Sequence, residues 1–175
     1  MIKIYKTLGL LLVMSILFGC SNTLVSQHNK LPEVYVDINE THRMKRDITI
    51  AVFALNNYTD TPLAGMRATN LLQGVLMTKG YNVVSQIQTS YSDFETALQI
   101  AKQDKADYFI HGGVSEWRYR TGIDGEPAIS MQCNLVETNS SKTIWSATAS
   151  DSDWGNASIG VTAQELILNM LSATE

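Results

Sequence analysis

Side chains able to carry out chemistry are sparse in this 175-residue sequence. Its three histidines are His28 and His42, both in a polar stretch, and His111, in an extended apolar one. There is no Gly-x-Ser-x-Gly elbow and no His-Glu-x-x-His pair. Cys20 and Cys133 are too few and too far apart to give the paired thiolates of a zinc site. Asp124 and Glu126 are close in sequence but share one tight turn. The carboxylates of a glycosidase flank a cleft at a set separation and come from different elements. Gly112-Gly113 follows His111, but no helix pattern begins there to cradle a phosphate, and glycines within a strand mark a bulge or close packing. These residues point to a protein that is not an enzyme, with no catalytic residues, no metal ligands and no cofactor. His111 reads as structural. Cys133 alternates with Met131 and Leu135 and reads as a buried apolar residue.

Cys20 is different. Lys3 and Lys6 give a charged start, Leu8 to Phe18 is almost uninterruptedly apolar, and Leu17-Phe18-Gly19-Cys20 follows. The apolar part is shorter than the roughly 20 residues a spanning helix needs. A charged start, a short apolar core and small residues at its end describe a secretory signal. The final four residues resemble a lipobox, whose cysteine thiol receives a diacylglycerol before cleavage and whose freed amine is then acylated. Residues 1–19 are thus expected to be removed, leaving lipidated Cys20 at the start of the chain. Ser21 favours the periplasmic face of the outer membrane, since an Asp at that position tends to retain such proteins at the inner membrane.

Removing the signal takes two of the 13 Lys and Arg residues and none of the 17 acids, so the net charge moves from −4 to near −6. Nucleic acid is a poor partner for such a chain, because its affinity comes mostly from phosphate neutralisation. A cation is a better one.

The elements that must position the remaining side chains are legible in part. Residues 20–46 are polar and read as a tether, with an extended docking piece at Leu31-Pro32-Glu33-Val34-Tyr35-Val36. Residues 47–175 read as one α/β domain of order β-α-β-α-β-β-β-α, a mixed sheet of about five strands flanked by helices. Ile48 to Phe53 is a strand buried on both faces. Thr61 is the expected N-cap and Pro62 the first residue of a helix that Gly80 stops. Tyr81 to Val84 is a second strand, and Ser92 with Glu95 has capping-box spacing for a short second helix. Asp107 to Arg120, Ala128 to Glu137 and Thr143 to Ala149 form an antiparallel meander, and Ser158 caps a last helix. No internal repeat or low-complexity segment interrupts this order.

Three surface features are left over. In Glu116-Trp117-Arg118-Tyr119-Arg120, alternation sends Trp117 and Tyr119 to one face and the charges to the other. Either the aromatics pack in the core and the charges form a solvated ladder, or the run is an intersubunit surface, where Arg and aromatics are enriched; on the second reading Trp117, Arg118, Tyr119 and Arg120 are candidate subunit contacts. Asp124-Gly125-Glu126 suits a hairpin tip, and the same tip repeated around a ring would make a negative collar. Trp154 sits among polar residues in a loop, where its apolar body and N–H suit a membrane interface. Trp145, in a patterned strand, is expected to be packed.

The run Gly112-Gly113-Val114-Ser115-Glu116-Trp117-Arg118-Tyr119-Arg120-Thr121-Gly122-Ile123-Asp124-Gly125-Glu126-Pro127 resembles the PelC family of outer-membrane lipoproteins, which serves Pel exopolysaccharide export. Ile144-Trp145-Ser146-Ala147, Ser152-Asp153-Trp154-Gly155 and Asn56 to Arg67 are similar to other segments of that family. The resemblance implies a compact α/β subunit that forms a dodecameric ring, and a PelB-type outer-membrane porin with helical repeats as partner. It further implies a cationic polysaccharide as cargo, with Asp124 in the lining of an acidic funnel and Trp154 at the membrane. The opening strand and helix alone also suit LpoB-type proteins, which would make this a monomeric periplasmic regulator of a cell-envelope synthase. A CsgG-like pore would need long amphipathic hairpins, and none is found.

Overall fold

The computed structural model describes residues 47–89, 91, 93–121, 125–152 and 157–172, and the backbone of 33–38. In chain order the elements are β1 (Glu33–Ile38), β2 (Thr49–Phe53), β3 (Asn56–Asn57), α1 (Ala64–Thr78), β4 (Asn82–Gln86), α2 (Phe94–Gln103), β5 (Tyr108–Tyr119), β6 (Pro127–Glu137), β7 (Thr143–Ser152) and α3 (Ile159–Ser172). The strands form one mixed sheet of order β1-β7-β6-β5-β2-β4, with the short β3 alongside β5. The expected α/β class and meander are present. Two strands are additional: β3, and β1 from within the segment read as a tether. β1 pairs antiparallel with β7 from Glu33 opposite Ser150 to Ile38 opposite Trp145. Residues 33–36 of the expected docking piece therefore belong to a sheet strand, and the sheet recruits residues from before Asp47.

The sequence Thr49-Ile50-Ala51-Val52-Phe53 has no polar face because β2 has none. It is parallel to both β4 and β5. The chain leaves β2 toward β4 and returns past it to β5. Two right-handed crossovers made in opposite directions place their helices on opposite faces. Accordingly Ile50 and Val52 pack with Ala68, Leu72 and Leu76 of α1, while Ala51 and Phe53 pack with Ala97, Leu98 and Ala101 of α2. Helix α3 shares the α1 face, where Ala163, Leu166, Ile167 and Met170 bury against Trp117, Ile129, Met131 and Trp145. Each fully buried Leu or Ile contributes roughly 1.5–3 kcal/mol. Among the described residues no helix is long and apolar enough to cross a membrane.

Helix ends depart from expectation in two places. Helix α1 starts at Ala64, and its N-cap is Leu63 at φ 61°, without a side-chain cap bond. Thr61 does not cap it because its hydroxyl is engaged elsewhere, donating to the carbonyl of Trp117 at 2.5 Å. Helix α2 is capped by Asp93, whose side chain accepts from Thr96 N–H at 2.8 Å. Asp93 rather than Ser92 is thus the N-cap; Glu95 accepts from Gln99, and Ser92 lies outside the described residues. Two other ends behave as expected. Gly80, at φ 89°, closes α1 with Gly80 N–H on Met77 O and Tyr81 N–H on Leu76 O, the paired bonds of a Schellman motif. Ser158 Oγ accepts from Val161 N–H at 3.3 Å at the start of α3.

Helix α1 is held close to the β2–β3 connection by two small residues. A Cβ at Gly65 would overlap the carbonyl oxygen of Leu55. One turn on, Thr69 is fully buried; its hydroxyl donates to Gly65 O at 2.7 Å and accepts from Leu55 N–H at 2.9 Å. That bond satisfies a buried backbone donor which lies off the strand ladder. It also fixes where the chain enters β3 and the loop after it.

Candidate functional site

Strand β5 carries a β-bulge. Val114 pairs with Met131 and Glu116 with Ser130, so Ser115 is the extra residue. The bulge reverses the alternation: Val114 and Trp117, three apart, both face the α1–α3 core. Bulges re-aim side chains in this way and are frequent beside functional sites. Here the bulge presents Ser115 to Ser130, with their hydroxyls 3.0 Å apart. It also puts Glu116 and Arg118 on one exposed face. Arg118 reaches Glu116 Oε1 with both Nε at 3.0 Å and Nη2 at 2.9 Å.

The loop after β3 lies against this bulge. Tyr58 N–H donates to Val114 O at 2.9 Å. Asn57 Oδ1 accepts from Thr59 N–H at 3.0 Å and from its hydroxyl at 2.8 Å, and the Thr61 bond to Trp117 ties down the far end. Between loop and bulge runs a groove of about 580 Å³, lined among others by Tyr58, Asp60, Ser115, Glu116, Arg118 and Ser130. Tyr58 is 71% exposed, the most exposed large hydrophobic side chain among the described residues. Its ring rests on Gly113, where a Cβ would stand 2.5 Å from Cε2. The groove therefore combines an aromatic face, two carboxylates, a guanidinium and several hydroxyls. Sequence reading missed Tyr58 and Asp60. The available signal was a single aromatic in the polar run Asn56 to Thr61, the same signal that singled out Trp154.

The residues singled out from sequence fall in several places. Cys20, Asp124 and Trp154 lie outside the described residues. Glu126 is half-buried at the base of the β5–β6 hairpin, its carbonyl accepting from Arg120 N–H at 2.6 Å. Gly125 before it takes φ 52°, as tight-turn chemistry requires. As a candidate contact Trp117 is corrected: it is 3% exposed and its ring packs in the core shared by α1 and α3. Arg118, Tyr119 and Arg120 are exposed. Tyr119 is half used internally, its hydroxyl accepting from Ile159 N–H at 3.0 Å. Trp145 is buried, as expected.

The two reactive side chains of the domain are built into its packing. His111 stands edge-on to Phe94, with ring centroids 5.9 Å apart, and tilted on Phe109 at the same separation. Burial lowers its pKa from the ordinary value, which favours the neutral ring. Cys133 is fully buried between strands, and burial pushes its thiol up to about 12, leaving no thiolate at neutral pH. Among the described residues no three His, Cys, Asp or Glu side chains are placed to hold a metal ion.

No protein-family model matches the chain, and none of the curated proteins does. Solved structures do. The PelC dodecamer from Paraburkholderia phytofirmans aligns with 82% of this chain and 97% of its own, at 30% identity and a TM-score of 0.72. The chain belongs to the PelC family. A second PelC dodecamer from the same organism, a leucine-to-methionine variant, matches at 29% identity and a TM-score of 0.71, over 82% of this chain and 98% of its own. The lipoprotein GNA1162 from Neisseria meningitidis, at 20% identity and a TM-score of 0.52 over 72% of this chain and 96% of its own, shares the fold alone. Membership in the PelC family accords with the resemblance read along Gly112 to Pro127. Much of that run is β5 with its bulge, which forms one wall of the groove.

Proposed function

We propose that this PelC-family chain is a lipid-anchored subunit of an outer-membrane export apparatus. Copies of it close into a ring, and the ring guides a cationic exopolysaccharide of the Pel type to an exit pore. The observation that carries this reading is 30% identity along 97% of a protein whose structure is a dodecamer. Near-complete coverage means that almost the whole length of that chain is matched.

Several features of the chain support the reading. Lipid on Cys20 provides the anchor, each buried methylene adding about 0.8 kcal/mol. Trp154 gives the domain a second contact with the bilayer and so orients one rim of the ring. Asp124 and Glu126, on one hairpin, repeat around the ring as a negative collar, and such a collar concentrates a polycation. Leu63 and Met77 are 58% and 60% exposed and offer apolar side chains for a neighbouring copy to cover. Leu63 does so from the left-handed region, which costs a non-glycine residue about 1 kcal/mol or more and recurs at functional positions. A PelB-type porin with helical repeats supplies the pore, and chemistry on the chain itself is not required.

Two measurements test the proposal together. The mass of the lipidated protein in mild detergent should be that of a ring of about a dozen copies, following the dodecameric relative. Deleting the chain from the producing cell should leave the polysaccharide synthesised but held inside the envelope. A monomer in detergent, with normal secretion after deletion, overturns the proposal in favour of a synthase regulator.

A further inference from the structure

We propose that the groove between the Tyr58 loop and the bulge of β5 is a second glycan contact, one per subunit, which takes an amino-sugar unit through its ammonium group and one face of its ring. It rests on the reading that a cationic glycan is the cargo, but it uses residues other than Asp124 and Glu126 and has its own chemistry.

The ring of Tyr58 is exposed, and it is held in place. Gly113 provides the seat beneath it, Tyr58 N–H is bonded to Val114 O at 2.9 Å, and its hydroxyl accepts from Asn56 Nδ2 at 3.3 Å. A ring fixed in this way loses little side-chain freedom when something stacks on it, and preorganisation of that kind raises affinity. One face of a pyranose is a row of C–H groups, which suits an aromatic platform. An ammonium on the same sugar is drawn to the negative face of the ring.

The walls supply the polar half. Both contacts from Arg118 fall on Oε1 of Glu116, which orients the carboxylate and leaves Oε2 for a ligand. Asp60 is exposed on the loop side of the groove. With two carboxylates and one guanidinium the groove carries a net charge of −1, matched to a monocation. A dicarboxylate or phosphate would meet repulsion from both acids. Ser115 and Ser130, with hydroxyls 3.0 Å apart, offer donors and acceptors for sugar hydroxyls. A groove of about 580 Å³ lies in the ordinary range for ligand sites and holds one or two sugar units. An open groove taking one unit of a long chain binds weakly, which is what passage of a polymer requires.

The test is binding of short oligomers to the full lipidated chain in detergent, with its mass followed alongside. The probes are a β-1,4-linked glucosamine pentamer and its N-acetylated counterpart. The glucosamine pentamer should bind at least tenfold more tightly than the acetylated one. Tyr58→Ala should weaken it at least tenfold, Asp60→Asn and Glu116→Gln several-fold, and Tyr58→Phe less than threefold. The double variant Asp124→Asn with Glu126→Gln should bind the pentamer within about twofold of the parent. Equal binding of both pentamers, or normal binding by Tyr58→Ala and Asp60→Asn, overturns the groove. So does loss confined to the Asp124 and Glu126 variant, although that result upholds the export reading. If the parent binds neither pentamer the groove is again overturned, while secretion still decides the export role.

Discussion

The ring of Tyr58 lies on Gly113 so closely that a Cβ at residue 113 would sit 2.5 Å from Cε2 and 2.9 Å from Cδ2. That contact joins the loop after β3 to the bulged strand β5, and it makes the neighbouring glycines unequal. Gly113→Ala pushes aside only an exposed side chain, so it should cost no more than about 1 kcal/mol of stability while displacing the platform. At Gly112 the same change drives a Cβ into the backbone carbonyl of Gln132 on β6. Backbone in a sheet interior cannot yield as a side chain can, so Gly112→Ala should destabilise by about 3 kcal/mol or more, in the range reserved for severe steric mechanisms. Denaturant midpoints of the two variants measure the contrast.

Thr69 tests how the loop is anchored. Thr69→Val keeps the shape but removes the acceptor for Leu55 N–H, leaving that buried donor unpaired. The expected loss is about 1–3 kcal/mol, measured by denaturant unfolding. Hydrogen exchange at Leu55 should accelerate, and an unchanged rate there would show that the bond does not hold the loop.

His111 makes stability depend on pH. Burial sets its folded pKa below the ordinary value, so the unfolded chain takes up the proton first as pH falls. The stability contributed by a neutral His111 is therefore fully present above about pH 6.5 and declines as pH drops below that, until the lowered folded pKa is passed. His111→Gln should flatten this part of the stability–pH curve. A variant with the parent's slope would assign the dependence to other groups.

Trp154 is tested apart from the lipid, because an acylated chain is anchored already. Without its lipid, the protein should bind outer-membrane-like vesicles several-fold more tightly than its Trp154→Ala variant does. Equal partition of the two would remove the membrane role of that residue.

Much of the fold was legible because its elements are locally consistent. Thr49 to Phe53 is apolar throughout as a strand covered on both faces must be, and Ile129, Met131, Cys133 and Leu135 alternate and are all buried. What escaped was set by tertiary partners. Thr61 has the residue type of a helix cap, but its hydroxyl is taken by Trp117 O across 56 residues, and no local pattern reports that bond. Asp93 outcompetes the Ser92–Glu95 spacing because it stands one position closer to the helix. β1 is visible only as a short extended run whose partner, β7, lies more than a hundred residues on. The groove was hidden for the same reason. Tyr58 and Glu116 come from separate segments, and the bulge at Ser115 that brings them to one surface has no signature beyond an interrupted alternation. Trp117 had the composition of an interface residue and the alternation of a core one, and burial under α3 decided for the core.

The central claim is that an acidic ring passes a cationic glycan outward. The direct test replaces the chain in a producing cell with the Asp124→Asn, Glu126→Gln variant and measures the polysaccharide released from the cells. Secretion should fall several-fold, with the variant still lipidated, in the outer membrane, and of the same ring mass in detergent. Undiminished secretion by a variant of normal mass and location would contradict the account.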